Sequence, residues 1–137
     1  MRHAIDHQSA LIYVMLMAAA VDRTMSAKEE RMIGRIIRVL PVFGNFERDR
    51  LMQIAQDCTA VLDQDNGAEA ALDLVQDALP GHLRETAYAL ACDVIAADGK
   101  VTETEARFLD ILRRRLGVGR LAGAAIERGA KARFMTL

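Results

Sequence analysis

One short pattern occurs twice in this chain, and the repetition constrains the fold more than any other feature. Residues 21–29 align without gaps with residues 97–105. In each segment an Asp opens a loop, a Ser or Thr follows, and a Glu comes three residues after that hydroxyl. An apolar stretch precedes each segment, and an amphipathic pattern follows it. The chain therefore contains two copies of a helix–loop–helix unit, at about residues 11–40 and about residues 87–116.

The residues after each loop predict where a helix begins. Ser26 and Thr102 are suited to N-cap positions, because their hydroxyls can accept a hydrogen bond from a backbone N–H of the first turn. Glu29 and Glu105 lie three residues further on and complete the capping-box pattern. We therefore expect a capped amphipathic helix after each loop.

Apolar periodicity along the chain predicts seven helices and no strand. The stretches at about 5–21 and about 82–97 are apolar nearly all round, as central buried helices are. Asn45 is a candidate cap for a third helix at about 47–62. Leu16 and Leu90 lie within the two apolar stretches and are predicted to be buried. The fold class is therefore all-α, and residues 1–137 are predicted to form a single domain.

Composition supports a globular chain that needs no covalent cross-link. Of the 137 residues, 52% are hydrophobic and 4% aromatic, so aliphatic side chains must fill the core. Cys58 and Cys92 lie far apart in helical patterns, which favours a reducing compartment over a disulfide framework. The longest apolar run, residues 10–21, is too short to span a membrane. We therefore expect a cytoplasmic chain with no cleaved leader.

The charges are unevenly distributed, although the net charge is −1. Residues 47–77 hold eight acidic and two basic residues, whereas residues 113–137 hold seven basic residues and one acidic. Runs of this kind usually form solvated helix faces. The alternative is that the basic run docks on an acidic membrane surface or partner. The balanced total gives no indication of nucleic-acid binding.

A resemblance to a known family rests on the second copy. Residues 96–105, of sequence Ala-Ala-Asp-Gly-Lys-Val-Thr-Glu-Thr-Glu, together with Phe108-Leu109 and Arg115-Leu116-Gly117, resemble the signature of the tellurite-resistance TerB-like family. The first copy resembles the N-terminal half of that family, so the resemblance spans about residues 11–116. It implies a seven-helix fold with pseudo-twofold symmetry around a central helix pair. It also implies a metal-binding acidic cluster, in a family associated with chemical stress and often placed near membranes.

Four carboxylates are the candidate metal ligands: Asp22, Glu29, Asp98 and Glu105. In each copy the Asp lies just before a helix and the Glu in its first turn, where the helix dipole favours negative charge. If the two loops meet at one end of the domain, the four carboxylates converge. Ligand sets made only of oxygen suit Ca²⁺ or Mg²⁺. The competing interpretation is that each Asp and Glu only caps its own helix.

The two loops differ at one position. Gly99 in the second loop supplies the positive φ that a tight turn favours, whereas the first loop has Arg23 there. Arg23 departs from the family pattern and places a cation beside Asp22. We therefore expect the second loop to contribute more to cation binding than the first.

Motifs of several catalytic and metal-binding classes do not occur in the sequence. The run from Asp98 lacks the ligand spacing of an EF-hand, and no Glu-x-x-His, Cys-x-x-Cys, nucleophile elbow or phosphate-binding glycine loop is present. The sequence therefore predicts a non-enzymatic module that takes no cofactor except possible Ca²⁺ or Mg²⁺ and acts through unidentified protein partners. A metal-independent protein–protein adaptor remains the alternative.

Overall fold

A computed structural model describes residues 4–22 and 25–137. Over these residues the chain forms seven α-helices and no β-strand, which confirms the all-α prediction. Short 3₁₀ turns at Pro41–Phe43, Arg48–Arg50 and Gly81–Leu83 connect some of them. The helices are α1 (His7–Ala20), α2 (Ala27–Val39), α3 (Leu51–Leu62), α4 (Gly67–Ala78), α5 (Arg84–Ala96), α6 (Glu103–Leu116) and α7 (Arg120–Arg133).

Helices α1 and α5 form the centre of the fold. They pack against each other, and each is buried on nearly every side. Helix α1 also contacts α2, α3 and α4, whereas α5 also contacts α2, α6 and α7. This arrangement explains why their sequences are apolar nearly all round, since neighbouring helices cover most of the surface of each.

Both predicted capping boxes are present. Ser26 and Thr102 are the N-caps of α2 and α6, and in each case the Glu three residues later bonds back to the cap backbone. Gly99 has a φ of 81°, in the left-handed region that favours glycine. The local chemistry of the loops therefore positions the two acidic segments as the sequence predicted.

Three details of the sequence prediction are wrong. Helix α3 begins at Leu51 instead of near residue 47, because a 3₁₀ turn comes first. Asn45 does not cap that helix; its side-chain oxygen accepts a hydrogen bond from Gln8 at 2.8 Å and links the loop to α1. Leu16 is only partly buried, whereas Leu90 is 3% exposed as expected. The neighbours of α1 thus cover the residues on both sides of Leu16 more completely than Leu16 itself.

The pseudo-twofold relation between the units stays a prediction, although each unit is a helix pair joined by a short loop. Among the helices of the described ranges, none has the length and apolar character needed to cross a membrane.

Candidate functional site

The two acidic loops meet at one end of the fold. Asp98 of the second unit accepts a hydrogen bond from the Ser26 hydroxyl of the first unit at 2.8 Å. Asp22 of the first unit accepts one from the Thr102 hydroxyl of the second at 3.1 Å. Each Asp therefore bonds to the cap of the opposite unit. The structure brings together two loops that belong to separate helix–loop–helix units in the sequence.

Each cap hydroxyl makes two different bonds. The Ser26 oxygen accepts from the backbone N–H of Glu29 at 3.0 Å while its proton goes to Asp98 at 2.8 Å. The Thr102 oxygen likewise accepts from the backbone N–H of Glu105 at 3.1 Å while its proton goes to Asp22. Because one hydroxyl both caps a helix and holds the opposite Asp, helix capping and loop contact depend on the same side chains.

The two glutamates lie beneath these aspartates. Glu29 is 3% exposed and Glu105 is 5% exposed, whereas Asp22 and Asp98 are exposed. A carboxylate oxygen of Glu29 accepts from the backbone N–H of Ser26 at 2.8 Å, and one of Glu105 accepts from that of Thr102 at 2.9 Å. The cluster therefore has an exposed rim of two aspartates and a buried floor of two glutamates.

The carboxylates of the two units affect one another electrostatically. Burial raises the pKa of Glu105, and the negative charges of Asp22 and Glu29 raise it further. The backbone N–H of Thr102 opposes this effect by favouring the charged form. Since Asp22 and Glu29 belong to the first unit and Glu105 to the second, their repulsion acts across the contact between the loops.

The donor atoms suit a hard cation, but the described residues do not hold a ready-made coordination site. Among them, no group of three or more His, Cys, Asp or Glu side chains is arranged to hold a metal ion. All four carboxylates already accept hydrogen bonds from the two caps. Cation binding would therefore require some of these side chains to reorient. The predicted influence of Arg23 lies outside the described residues.

The cysteines do not contribute a reactive group. Cys58 and Cys92 are both buried and free. Burial raises the pKa of each thiol to about 12, so both stay protonated at neutral pH. A protonated thiol is neither a nucleophile nor a metal ligand. These side chains act as small apolar packing residues.

The bonds between the loops are not predicted above, although the sequence contains a signal for them. Each copy has its Asp four residues before its cap hydroxyl, so matching donors and acceptors occur on both loops. Ser26 and Thr102 were assigned only to helix capping. Their second role, as donors to the Asp of the opposite unit, depends on how the two units pack against each other.

One of the comparisons with known proteins identifies a family for this chain. No curated protein and no solved structure matches the chain. A family model described as "Tellurite resistance protein TerB" matches residues 8–128, which include all seven helices except the first residue of α1 and the end of α7. The matched range includes both loops with their aspartates and their capped helices. The chain is therefore a member of the TerB family of tellurite-resistance proteins.

Proposed function

We propose that this chain is a non-enzymatic, cytoplasmic TerB module that binds a divalent cation between its two acidic loops and acts in chemical or tellurite stress through protein partners. One observation carries the proposal: each exposed Asp bonds to the cap hydroxyl of the opposite unit. These bonds hold Asp22, Glu29, Asp98 and Glu105 at one end of the fold. Family membership supports the association with tellurite resistance.

A cation would reduce the repulsion between the carboxylates of the acidic cluster. Two buried glutamates and two aspartates repel one another, and this repulsion contributes to the raised pKa of Glu105. A hard ion with oxygen ligands would offset this repulsion. Because Asp22 and Asp98 are exposed, they can leave the cap hydroxyls without disturbing the core. The bound ion would strengthen the contact between the two units and thereby change the surface offered to partners.

The test is a titration of the full chain with Ca²⁺ and with Mg²⁺, followed by residue-resolved NMR and by calorimetry. We expect saturable shifts centred on the two loops. Asp98→Asn is expected to weaken binding more than Asp22→Asn, because Gly99 allows the second loop to turn tightly and expose its carbonyl oxygens. Asp77→Asn, an exposed change on α4, is the matched control and should bind like the wild type.

Glu105→Gln tests whether Glu105 acts as a ligand of the cation or only as part of the helix cap. Glutamine can replace glutamate in a capping box, so this variant should lose the cation while α6 keeps its helicity by circular dichroism. If the wild-type chain shows no saturable binding at millimolar concentrations of either ion, the cation hypothesis fails.

A metal-independent protein–protein adaptor is the second candidate. It is favoured by the hydrogen bonds that already occupy all four carboxylates. In that case the acidic loops only join the two units. Replacing Ser26 and Thr102 by Ala would then loosen the contact between the loops, and added Ca²⁺ would not restore it.

A further inference from the structure

Helix α2 has a row of exposed cations along one side. Lys28, Arg31, Arg35 and Arg38 follow at spacings of three, four and three residues, which places them on one face of an α-helix. All four side chains are exposed. They line an open groove of about 680 Å³, here called the α2 groove, whose walls also include one acidic residue, Glu30.

These four cations have no acidic partner within the described part of the chain. The ion pairs found there involve arginines on other elements, chiefly α6. On α6, Arg107 pairs with Glu103 at 3.0 Å, and Arg114 pairs with Asp110 at 3.0 Å. The positive charge of the α2 groove is therefore open to a partner, whereas the arginines of α6 are neutralised locally.

The repeat alignment shows why the two helices differ. Arg31 and Arg38 of α2 align with two of the paired arginines of α6, Arg107 and Arg114. The acidic partners of those arginines are missing from α2, however, where Ala27 and Gly34 occupy the positions of Glu103 and Asp110. The exposed positive face of α2 thus has two origins: α2 lacks these two carboxylates, and it carries Lys28 and Arg35 where α6 has the uncharged Thr104 and Ile111.

An apolar cavity adjoins the α2 groove. It has a volume of about 570 Å³ and lies between α5, α6 and α7. Apolar side chains such as Ile95 and Leu109 line most of it, and its wall also includes two acidic and two basic residues, Asp110, Glu127, Arg113 and Lys131. Val101 and Met135 also line it and are 56% and 67% exposed. Phe134 lines both the cavity and the α2 groove, so the two form adjoining parts of one surface.

We propose that this surface binds an acidic segment of a partner protein, with carboxylates against the α2 groove and one bulky apolar side chain in the cavity. The proposal gives a location and a partner chemistry to the adaptor function, and it does not require cation binding. Charge complementarity selects the acidic residues. The cavity selects an apolar anchor, since desolvated anchor residues carry much of the affinity at protein interfaces.

A short segment fits the charge distribution better than an extended polyanion. The cations from Lys28 to Arg38 span roughly 15 Å of helix, at about 1.5 Å per residue. Residues 47–77 carry a local net charge of −6, from eight acidic and two basic residues. A polyanion large enough to reach α3 and α4 would meet this negative charge, whereas a short segment that contacts only the α2 groove and the cavity would not.

The test measures peptide binding to the full chain by fluorescence anisotropy. The probe is a fluorescein-labelled twelve-residue peptide rich in glutamate with one central tryptophan, and a second peptide has alanine in place of the tryptophan. We expect the tryptophan peptide to bind more tightly, with an affinity that falls as salt is added. Arg31→Glu with Arg35→Glu should weaken binding roughly tenfold or more. Arg120→Glu with Arg128→Glu, an equal charge change at exposed sites on α7 outside both regions, should have little effect.

Two further variants test the parts of the surface separately. Ala27→Glu with Gly34→Asp restores the acidic residues of α6 to α2, so it should weaken binding while all four cations remain. A Cβ at position 34 would meet only Arg38 at 3.5 Å, an ordinary contact that α2 can accommodate. Ala106→Phe, at an exposed position that lines the cavity, should reduce binding of the tryptophan peptide only. Its control is Ala125→Phe, an exposed change outside the cavity.

Three results would overturn the proposal. The first is failure of the wild-type chain to bind either peptide. The second is an equal loss of binding in the α2 and α7 charge variants. The third is binding to phosphatidylserine vesicles without binding to the peptides, which would identify a lipid surface instead. The cation proposal is tested at different residues, so peptide binding without Ca²⁺ or Mg²⁺ binding would support this inference and reject the other.

Discussion

Helices α2 and α6 begin in the same way but differ in whether their positive charges form ion pairs. Both start with a capping box, and both follow a loop whose Asp bonds to the opposite unit. On α6 the arginines pair with carboxylates of α4 or of α6 itself, whereas the α2 cations have no described acidic partner. The residues that the copies share build the fold. The residues that distinguish them create a surface on only one copy.

Substitutions in the two central helices test whether the two units contribute equally to stability. Leu11 of α1 is fully buried and Leu90 of α5 is 3% exposed. Leu→Ala at either position should lower the free energy of unfolding by about 2–5 kcal/mol, because it removes packing and leaves a cavity. Chemical denaturation measures both values. A loss below about 1 kcal/mol at only one site would show that the units are not equivalent in the core.

Leu16 provides the internal control for that experiment. It lies in the same helix as Leu11 but is only partly buried. Leu16→Ala should therefore cost less than Leu11→Ala, since less of the side chain leaves contact with the core. An equal loss at both positions would mean that burial does not determine the effect.

The sequence predicted helices better than contacts between them. Capping residues act within a few positions of the helix that they start, so Ser26 and Thr102 identified α2 and α6 correctly. Asn45 has the same local appearance, yet it serves as a partner for Gln8 of α1. Leu16 is surrounded by apolar neighbours in sequence, yet no element covers it completely. Both errors arise because tertiary packing decides the role of a residue that local sequence leaves open.

The candidate site was predicted in part for the same reason. Equivalent positions in the repeat identified all four carboxylates, but their bonds to the opposite cap require the relative placement of two hairpins. The α2 groove does not follow from the net charge of its sequence, because the net charge does not distinguish buried side chains from exposed ones. Glu29 lies between Lys28 and Arg31 in sequence and reduces the local net charge, but its side chain is buried in the acidic cluster. The exposed face of α2 is therefore more positive than the net charge of the α2 sequence indicates.

The ion pairs of α6 give a second test of the comparison. Arg115 bonds to Glu69 at 2.7 Å, to Gln76 at 3.1 Å and also to Asp73. Arg115→Val should lower the free energy of unfolding by about 1–2 kcal/mol, because several partly exposed interactions with α4 are lost together. The equivalent residue in α2 is Val39, which is 63% exposed. Val39→Thr should change stability by less than about 0.5 kcal/mol. Similar losses at both positions in urea denaturation would contradict the asymmetry.

The smallest expected effect is the pH response of Glu105. Its pKa is raised in the folded chain, first by burial and then by Asp22 and Glu29. When the pKa of a carboxyl is higher in the folded chain than in the unfolded chain, the group stabilises the native state at pH values below the pKa of the unfolded chain. This stabilisation is lost as the pH rises through the pKa of the folded chain. Glu105→Gln cannot titrate there. The stability of this variant relative to the wild type should therefore increase as pH rises from about the ordinary glutamate value of 4.3 through the folded pKa, and then level off.

Asp22→Asn tests whether that response is transmitted from one unit to the other. The variant removes a negative charge of the first unit, while the amide oxygen can still accept the hydrogen bond from Thr102. The pKa of Glu105 should then fall but stay above its ordinary value, because burial is the larger cause of the shift. NMR titration of the Glu105 side-chain carboxyl measures the change directly. Glu30→Gln, an exposed change on α2 outside the acidic cluster, controls for the loss of one charge. An unchanged Glu105 titration in Asp22→Asn would show that the loops touch without electrostatic coupling, and a cation between them would then have little repulsion to relieve.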